Sequence, residues 1–158
     1  MILGIDPGNE KSAYVLWDGE RVRDRNTVKN ESILALSKSW TSEKSAVGIE
    51  MISSYGMPVG REVFETCVWI GRFIQAMGEV SMIYRHEIKS HFCHSQRAKD
   101  GNIRQALIDR FGGKDKAIGK KKSPGPLYGI KGDQWAALAV ALCLGDRIGV
   151  RSEDFLKL

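Results

Sequence analysis

Three acidic residues stand where apolar segments of the chain begin or end. Asp6 follows the apolar run 2–5, Glu50 follows residues 46–49, and Asp133 precedes an Ala-rich segment. Two strands that each end in a carboxylate, together with a helix that begins with a third, can converge oxygens on hard divalent cations such as Mg²⁺. A pair of such ions can activate water and stabilise the leaving oxygen at phosphorus. The order of these residues therefore predicts a metal-dependent nuclease.

Each carboxylate also has a plain structural interpretation. Asp6 can start an Asp-Pro-Gly turn, Glu50 can be an exposed strand end, and Asp133 can cap a helix N-terminus. The joint occurrence of all three in this order favours the site over three unrelated surface acids.

Composition sets the remaining bounds. The 158 residues, 42% of them apolar, predict one domain spanning residues 1–158. The net charge of +5 favours a polyanionic partner such as nucleic acid. The odd number and wide spacing of Cys67, Cys93 and Cys143 predict neither a disulfide framework nor a zinc site. No signal peptide or membrane-spanning run is recognisable, so we expect a cytoplasmic protein.

Hydrophobic periodicity predicts an α/β domain. The predicted strands cover residues 1–5, 12–17, 20–28, 46–51 and 80–84, and the predicted helices cover residues 33–40, 62–77, a segment around 103–111, and 132–144. Residues 112–132 are rich in Gly, Pro and Lys, which predicts a mobile stretch. An early strand meander followed by alternating helices and strands predicts a mixed sheet flanked by helices. The helix at 62–77 is apolar over more than half of its circumference, so we expect it to form a subunit interface with Trp69 or Phe73 pointing outward.

The motifs Gly4-Ile5-Asp6-Pro7-Gly8, Gly48-Ile49-Glu50 and Gly132-Asp133 resemble those of the RuvC-like Holliday-junction resolvases, most closely their small bacteriophage branch. The resemblance implies a ribonuclease H-like fold with a mixed five-stranded sheet flanked by helices. It also implies a homodimeric endonuclease that depends on two Mg²⁺ ions, with Mn²⁺ as a substitute, and cuts four-way DNA junctions symmetrically. The expected location is a bacterial cytoplasm. A nucleotide cofactor is not expected, since 158 residues cannot supply the two lobes of an actin-like ATPase.

By the same resemblance Asp6 bridges both metals, while Glu50 and Asp133 each hold one. Lys89 resembles the family's lysine that approaches the scissile phosphate, although a plain surface lysine fits the sequence equally well. The family often places a fourth ligand where this chain has Ala136. Asp100, Asp109 or a water can take that place, and the sequence does not choose between them.

Two groups of residues are candidate DNA contacts. Tyr55 and Met57, in the loop after Glu50, can stack on or wedge between bases, or can instead fold back on the core. A basic group can bind phosphates, with a solvated charge run as the alternative; its members are Arg97, Lys99, Arg104, Lys120, Lys121 and Lys122. Two functions other than junction resolution stay open: a nuclease of the same fold acting on other branched DNA or RNA/DNA hybrids, and a protein that binds DNA branches without cutting.

Overall fold

A computed structural model describes residues 1–42 and 46–149. Residues 43–45 and 150–158, which the predicted domain includes, lie outside the described residues. The strands are β1 (Ile2–Asp6), β2 (Lys11–Trp17), β3 (Val22–Lys29), β4 (Ala46–Met51), β5 (Ser81–Tyr84), β6 (Gly119–Lys120) and β7 (Ser123–Pro124). The helices are α1 (Asn30–Ser42), α2 (Arg61–Met77), α3 (Arg85–Cys93), α4 (Asp100–Arg110), α5 (Lys114–Ala117) and α6 (Gln134–Arg147).

The first five strands form one mixed sheet in the order β3-β2-β1-β4-β5. The β1–β2–β3 meander is antiparallel, whereas β4 pairs parallel with both β1 and β5. Helices cover both faces, so the predicted α/β fold with a five-stranded mixed sheet is confirmed. The parallel register of β1 and β4 sets Ile5 opposite Ile49, so the next two residues, Asp6 at the end of β1 and Glu50 one residue before the end of β4, lie side by side.

Alternation along β1 assigns its residues to the two faces of the sheet. Leu3 and Ile5 pack into the core shared with α1 and α2, whereas Ile2 packs into the core built on α6. Gly4 faces α6 as well, because a Cβ there would lie 2.1 Å from the carbonyl oxygen of Ala137. The missing side chain at position 4 therefore lets α6 lie directly against β1.

The segment 112–132 differs from the mobile stretch that its composition predicted. It contains α5 and the β6–β7 ribbon, and it buries Ala117, Leu127 and Ile130 in the α6 core. Backbone hydrogen bonds from Leu127 to Ala117 and from Gly125 to Ile118 tie it together. The prediction of mobility was wrong because three well-spaced apolar residues anchor an otherwise polar segment.

Candidate active site

Strand geometry brings two of the predicted carboxylates together. Every second residue of a strand points to the same face of the sheet. Gly4 and Gly48 face α6, so Asp6 and Glu50, two residues further along their strands, point to that same face. Both acids line a cleft of about 230 Å³. Its other lining residues are Pro7, Met51, Ile52, Ser53, Tyr55 and Arg85.

Asp6 lies in a strongly negative, desolvated environment. Burial, followed by the charges of Glu50 and Asp133, raises the pKa of Asp6 from 3.8 to about 7, against a smaller lowering by Arg85. A cation bound beside the three carboxylates would favour the ionised form of Asp6. Glu50 and Asp133 are thus both close enough to Asp6 to disfavour its ionisation.

Glu50 is buried without full compensation. Its side chain is 14% exposed, and its Oε2 atom has no hydrogen-bond partner among the described residues. Burial raises the pKa of Glu50, and the guanidinium of Arg85 opposes that rise. The Nη1 atom of Arg85 lies 3.6 Å from Oε1 of Glu50. An unpartnered buried carboxylate oxygen is costly unless a ligand satisfies it, so the exposed strand end considered for Glu50 is excluded.

Asp133 directly precedes α6 and has an exposed side chain. Its carbonyl oxygen accepts hydrogen bonds from the backbone of Ala136 and Ala137, but its carboxylate makes no capping hydrogen bond. The carboxylate borders a small cavity of about 70 Å³. The other residues around this cavity are Arg85, Asp100, Ile103, Arg104, Gly132, Trp135 and Ala136. Since no cap uses the carboxylate, it is available for a ligand.

A buried polar network fixes the loop that follows Asp6. The Gly8 N–H donates to Ser12 Oγ at 3.2 Å, and that hydroxyl donates to Asn30 Oδ1 at 2.6 Å. Asn30 Nδ2 donates back to the Gly8 carbonyl at 2.9 Å. Because Ser12 and Asn30 are almost fully buried, this closed ring holds the chain exit beside Asp6 in one conformation.

The donor set fits a hard divalent cation in its chemistry. Asp6 and Glu50 are poorly compensated carboxylates, and Asp133 is an uncommitted one. Across residues 1–42 and 46–149, however, no three Asp, Glu, His or Cys side chains form a compact ligand cluster. Mg²⁺ commonly keeps several waters and takes oxygens from substrate phosphates. The three carboxylates therefore fit an ion whose remaining ligands come from water and from the substrate.

The lysine and loop residues predicted for the site are placed as follows. Lys89 Nζ donates to the carbonyl of Gln96 at 3.5 Å. Lys89 borders neither the cleft of Asp6 and Glu50 nor the cavity of Asp133. Tyr55 and Met57 are 69% and 74% exposed, so neither folds back on the core. Tyr55 also borders the cleft of Asp6 and Glu50.

The basic residues fall into two places. The Arg104 guanidinium lies 4.8 Å from the ring centre of Trp135 and borders the Asp133 cavity. Arg97 and Lys99 are exposed just before α4. Lys120, Lys121 and Lys122 lie on the β6–β7 ribbon. Pro126, which follows the ribbon, accepts a hydrogen bond from Val22, at the end of the sheet opposite Asp6.

Sequence reasoning missed Arg85, which borders both the cleft of Asp6 and Glu50 and the cavity of Asp133. It is the first residue of α3, which was not predicted because Ile88 alone of its nine residues is buried. A usable sequence signal was present, because Glu87 stands three residues after Tyr84, the spacing of a helix-start glutamate. In the structure Glu87 accepts a hydrogen bond from the Tyr84 N–H at 2.7 Å. That pattern marks a helix start at the end of β5, beside the carboxylates.

The outward face of α2 also differs from the prediction. Phe73 is fully buried and Trp69 is partly buried, so Phe73 does not point outward as expected. Phe64 and Val68, one turn apart, are instead 62% and 64% exposed. A Cβ on Gly71, the next position on that stripe, would meet nothing within 4 Å. The apolar surface of α2 is therefore the Phe64–Val68 face.

Comparisons with known proteins bear on the fold. No protein-family model matches the sequence, and no curated protein matches it. Among solved structures, Thermus thermophilus RuvC is similar with a TM-score of 0.61 and 18% identity, covering 94% of this chain and 96% of that one. The T. thermophilus RuvC in complex with a Holliday junction substrate is similar with a TM-score of 0.60 and 17% identity, covering 94% and 95%.

Within residues 1–42 and 46–149 there is no helix whose length and apolar character would let it span a bilayer. The sheet order, the helices on both faces and the structural matches over nearly the whole chain agree with one another. The chain has the RuvC fold.

Proposed function

We propose that this protein is a structure-specific endonuclease that resolves four-way DNA junctions by phosphodiester hydrolysis, in DNA recombination and branch removal. The observation that carries the proposal is that Glu50 and Asp133 both lie close enough to Asp6, at one end of the sheet, to raise the pKa of Asp6. A fold shared with a protein solved on a Holliday junction supports the choice of substrate.

Catalysis explains the acids better than binding alone. Carboxylates beside a DNA phosphate repel it, so a protein that only binds branches gains nothing from burying Glu50 with an unpartnered oxygen. When bound, Mg²⁺ would supply charge stabilisation and an activated water. Asp6, Glu50 and Asp133 would hold it, and Tyr55 would meet the bases next to the cut from the rim of the same cleft.

The proposed enzyme is a homodimer. A four-way junction has two-fold symmetry, and a symmetric dimer supplies two active sites in the matching arrangement. The Phe64–Val68 face offers an apolar surface of the kind that isologous interfaces bury.

A nuclease that prefers other branched DNA or RNA/DNA hybrids is the second candidate, since the exposed Tyr55 and Met57 would engage any site with interrupted base pairing. The test is a comparison of end-labelled substrates of equal length in Mg²⁺: a four-way junction, a Y-fork, a linear duplex and an RNA/DNA hybrid. Paired symmetric nicks in the junction are expected, with the linear duplex intact. Preferential cutting of the hybrid or the fork would replace the first candidate by the second.

A further inference from the structure

The positively charged side chain of Arg85 lies between the two acidic parts of the site. Arg85 borders the cleft of Asp6 and Glu50 and also the cavity of Asp133. Lys89, one turn further along α3, directs its Nζ toward the Gln96 carbonyl instead. Arg85 is thus a basic side chain that borders the surroundings of all three acids.

The guanidinium is held from two sides. Nη1 lies 3.6 Å from Glu50 Oε1, and Nη2 donates to Asp100 Oδ1. The Arg85 side chain is 23% exposed, between a Glu50 that is 14% exposed and an Asp100 that is 89% exposed. Asp100 therefore holds Arg85 from the solvent side, while Glu50 attracts it from within.

Arg85 retains hydrogen-bonding capacity. A guanidinium carries five N–H donors in a planar fork, and within residues 1–42 and 46–149 only Asp100 accepts a hydrogen bond from it. Such a fork binds phosphate oxygens in pairs, which a lysine cannot do. A site with three carboxylates also needs positive charge to accept DNA.

We propose that Arg85, held by Asp100, is the residue that contacts the scissile phosphate at this site. Arg85 is then a catalytic residue and Asp100 a positioning residue. The proposal rests on the nuclease function proposed above and adds a residue to it. It also gives Asp100 a role other than the fourth metal ligand.

The test measures DNA binding and metal binding separately. Binding of a four-way junction is followed by fluorescence anisotropy in Ca²⁺ at several salt concentrations, and Ca²⁺ binding to the free protein is followed by calorimetry. Arg85→Gln should weaken junction binding about tenfold and reduce the salt slope by about one, since one phosphate contact is lost. It should tighten Ca²⁺ binding severalfold, because a positive charge beside Asp6 and Glu50 is removed.

Arg23→Gln is the matched control. Arg23 also pairs with an aspartate, Asp18, but at the opposite end of the sheet, so both affinities should equal those of the wild type. Asp100→Asn keeps the Arg85 charge and removes its anchor. It should leave the salt slope unchanged, bind the junction within about twofold of the wild type, and lower kcat in Mg²⁺.

Opposite shifts of DNA and metal affinity in Arg85→Gln would support the proposal. Unchanged junction affinity and slope, or a joint loss of both affinities with a lower melting temperature, would overturn it. If Arg85→Gln does not fold, the test uses Arg85→Lys, which keeps the positive charge. This variant should show the wild-type salt slope of junction binding but a lower rate of junction cleavage. A wild-type cleavage rate would refute the proposed role of Arg85. If the wild-type protein neither binds nor cleaves the junction, the proposed function is refuted, and the role of Arg85 is refuted with it.

Discussion

A Cβ atom on Gly4 would lie 2.1 Å from the carbonyl oxygen of Ala137, so β1 and α6 touch through their backbones. The strand ends at Asp6 and the helix follows Asp133. This contact therefore contributes to the spacing between Asp6 and Asp133.

Gly4→Ala should destabilise the protein by about 1–3 kcal/mol, because the added methyl group meets backbone atoms of Ala137 and Ala141 that cannot rotate away. Chemical denaturation measures the change. Gly101→Ala on α4 is the control, since its Cβ has open space and alanine is the better helix former. Equal stabilities for the two variants would show that the β1–α6 contact is more adaptable than the structure implies.

The raised pKa of Asp6 predicts a pH dependence of stability in metal-free protein. The folded-state pKa is about 7, above the ordinary 3.8, so the folded state binds the extra proton between these values. Stability should therefore fall as pH rises from about 4 to about 7, on the order of 4 kcal/mol. Asp6→Asn should lose this part of the slope, as denaturation curves in chelator at a series of pH values would reveal. A wild-type slope in Asp6→Asn would contradict the burial and charge environment described for Asp6.

Ala136 is partly exposed and borders the Asp133 cavity, so the position has room for a larger side chain. Ala136→Asp places a carboxylate about one turn from Asp133. It should lower the Mg²⁺ concentration needed for half-maximal cleavage, and the advantage of Mn²⁺ over Mg²⁺ should shrink. Ala76→Asp, on the exposed side of α2, is the charge-matched control. A folded Ala136→Asp protein with an unchanged or higher Mg²⁺ requirement would mean that another residue already serves as the fourth ligand.

Phe64→Lys and Val68→Lys should shift the protein from dimer to monomer, because each sets a charge into the apolar face of α2. Light scattering at micromolar concentration, with and without junction DNA, measures the mass. Glu20→Lys, in an exposed turn, should leave the dimer intact. Monomeric wild-type protein under both conditions would exclude this interface.

The sequence predicted the elements that carry regular apolar patterns. The five strands of the sheet and helices α1, α2, α4 and α6 appear where periodicity put them, within a few residues. Helix α3 was missed because one buried residue, Ile88, leaves no periodic pattern. The burial of Leu127 under a Gly- and Lys-rich segment depends on tertiary packing that composition does not encode.

The same limit applies to the site. Asp6, Glu50 and Asp133 were predicted because strand ends and a helix start locate them along the chain. Arg85 was not predicted, because its position is defined by ion pairs with Glu50 and Asp100. Both partners are distant from Arg85 in the sequence and lie beside it only in the fold.

The most direct test of the account replaces the three acids one at a time. Asp6→Asn, Glu50→Gln and Asp133→Asn should each abolish junction cleavage in Mg²⁺ while binding stays equal or becomes tighter, because a carboxylate that repels phosphate is removed. Asp115→Asn and Glu79→Gln, both exposed, should cleave normally, and wild-type protein in Ca²⁺ should bind without cutting. Nicking and gel-shift measurements on one four-way junction decide the matter: loss of cleavage with retained binding is the predicted result, and wild-type cleavage by any of the three acid variants would contradict it.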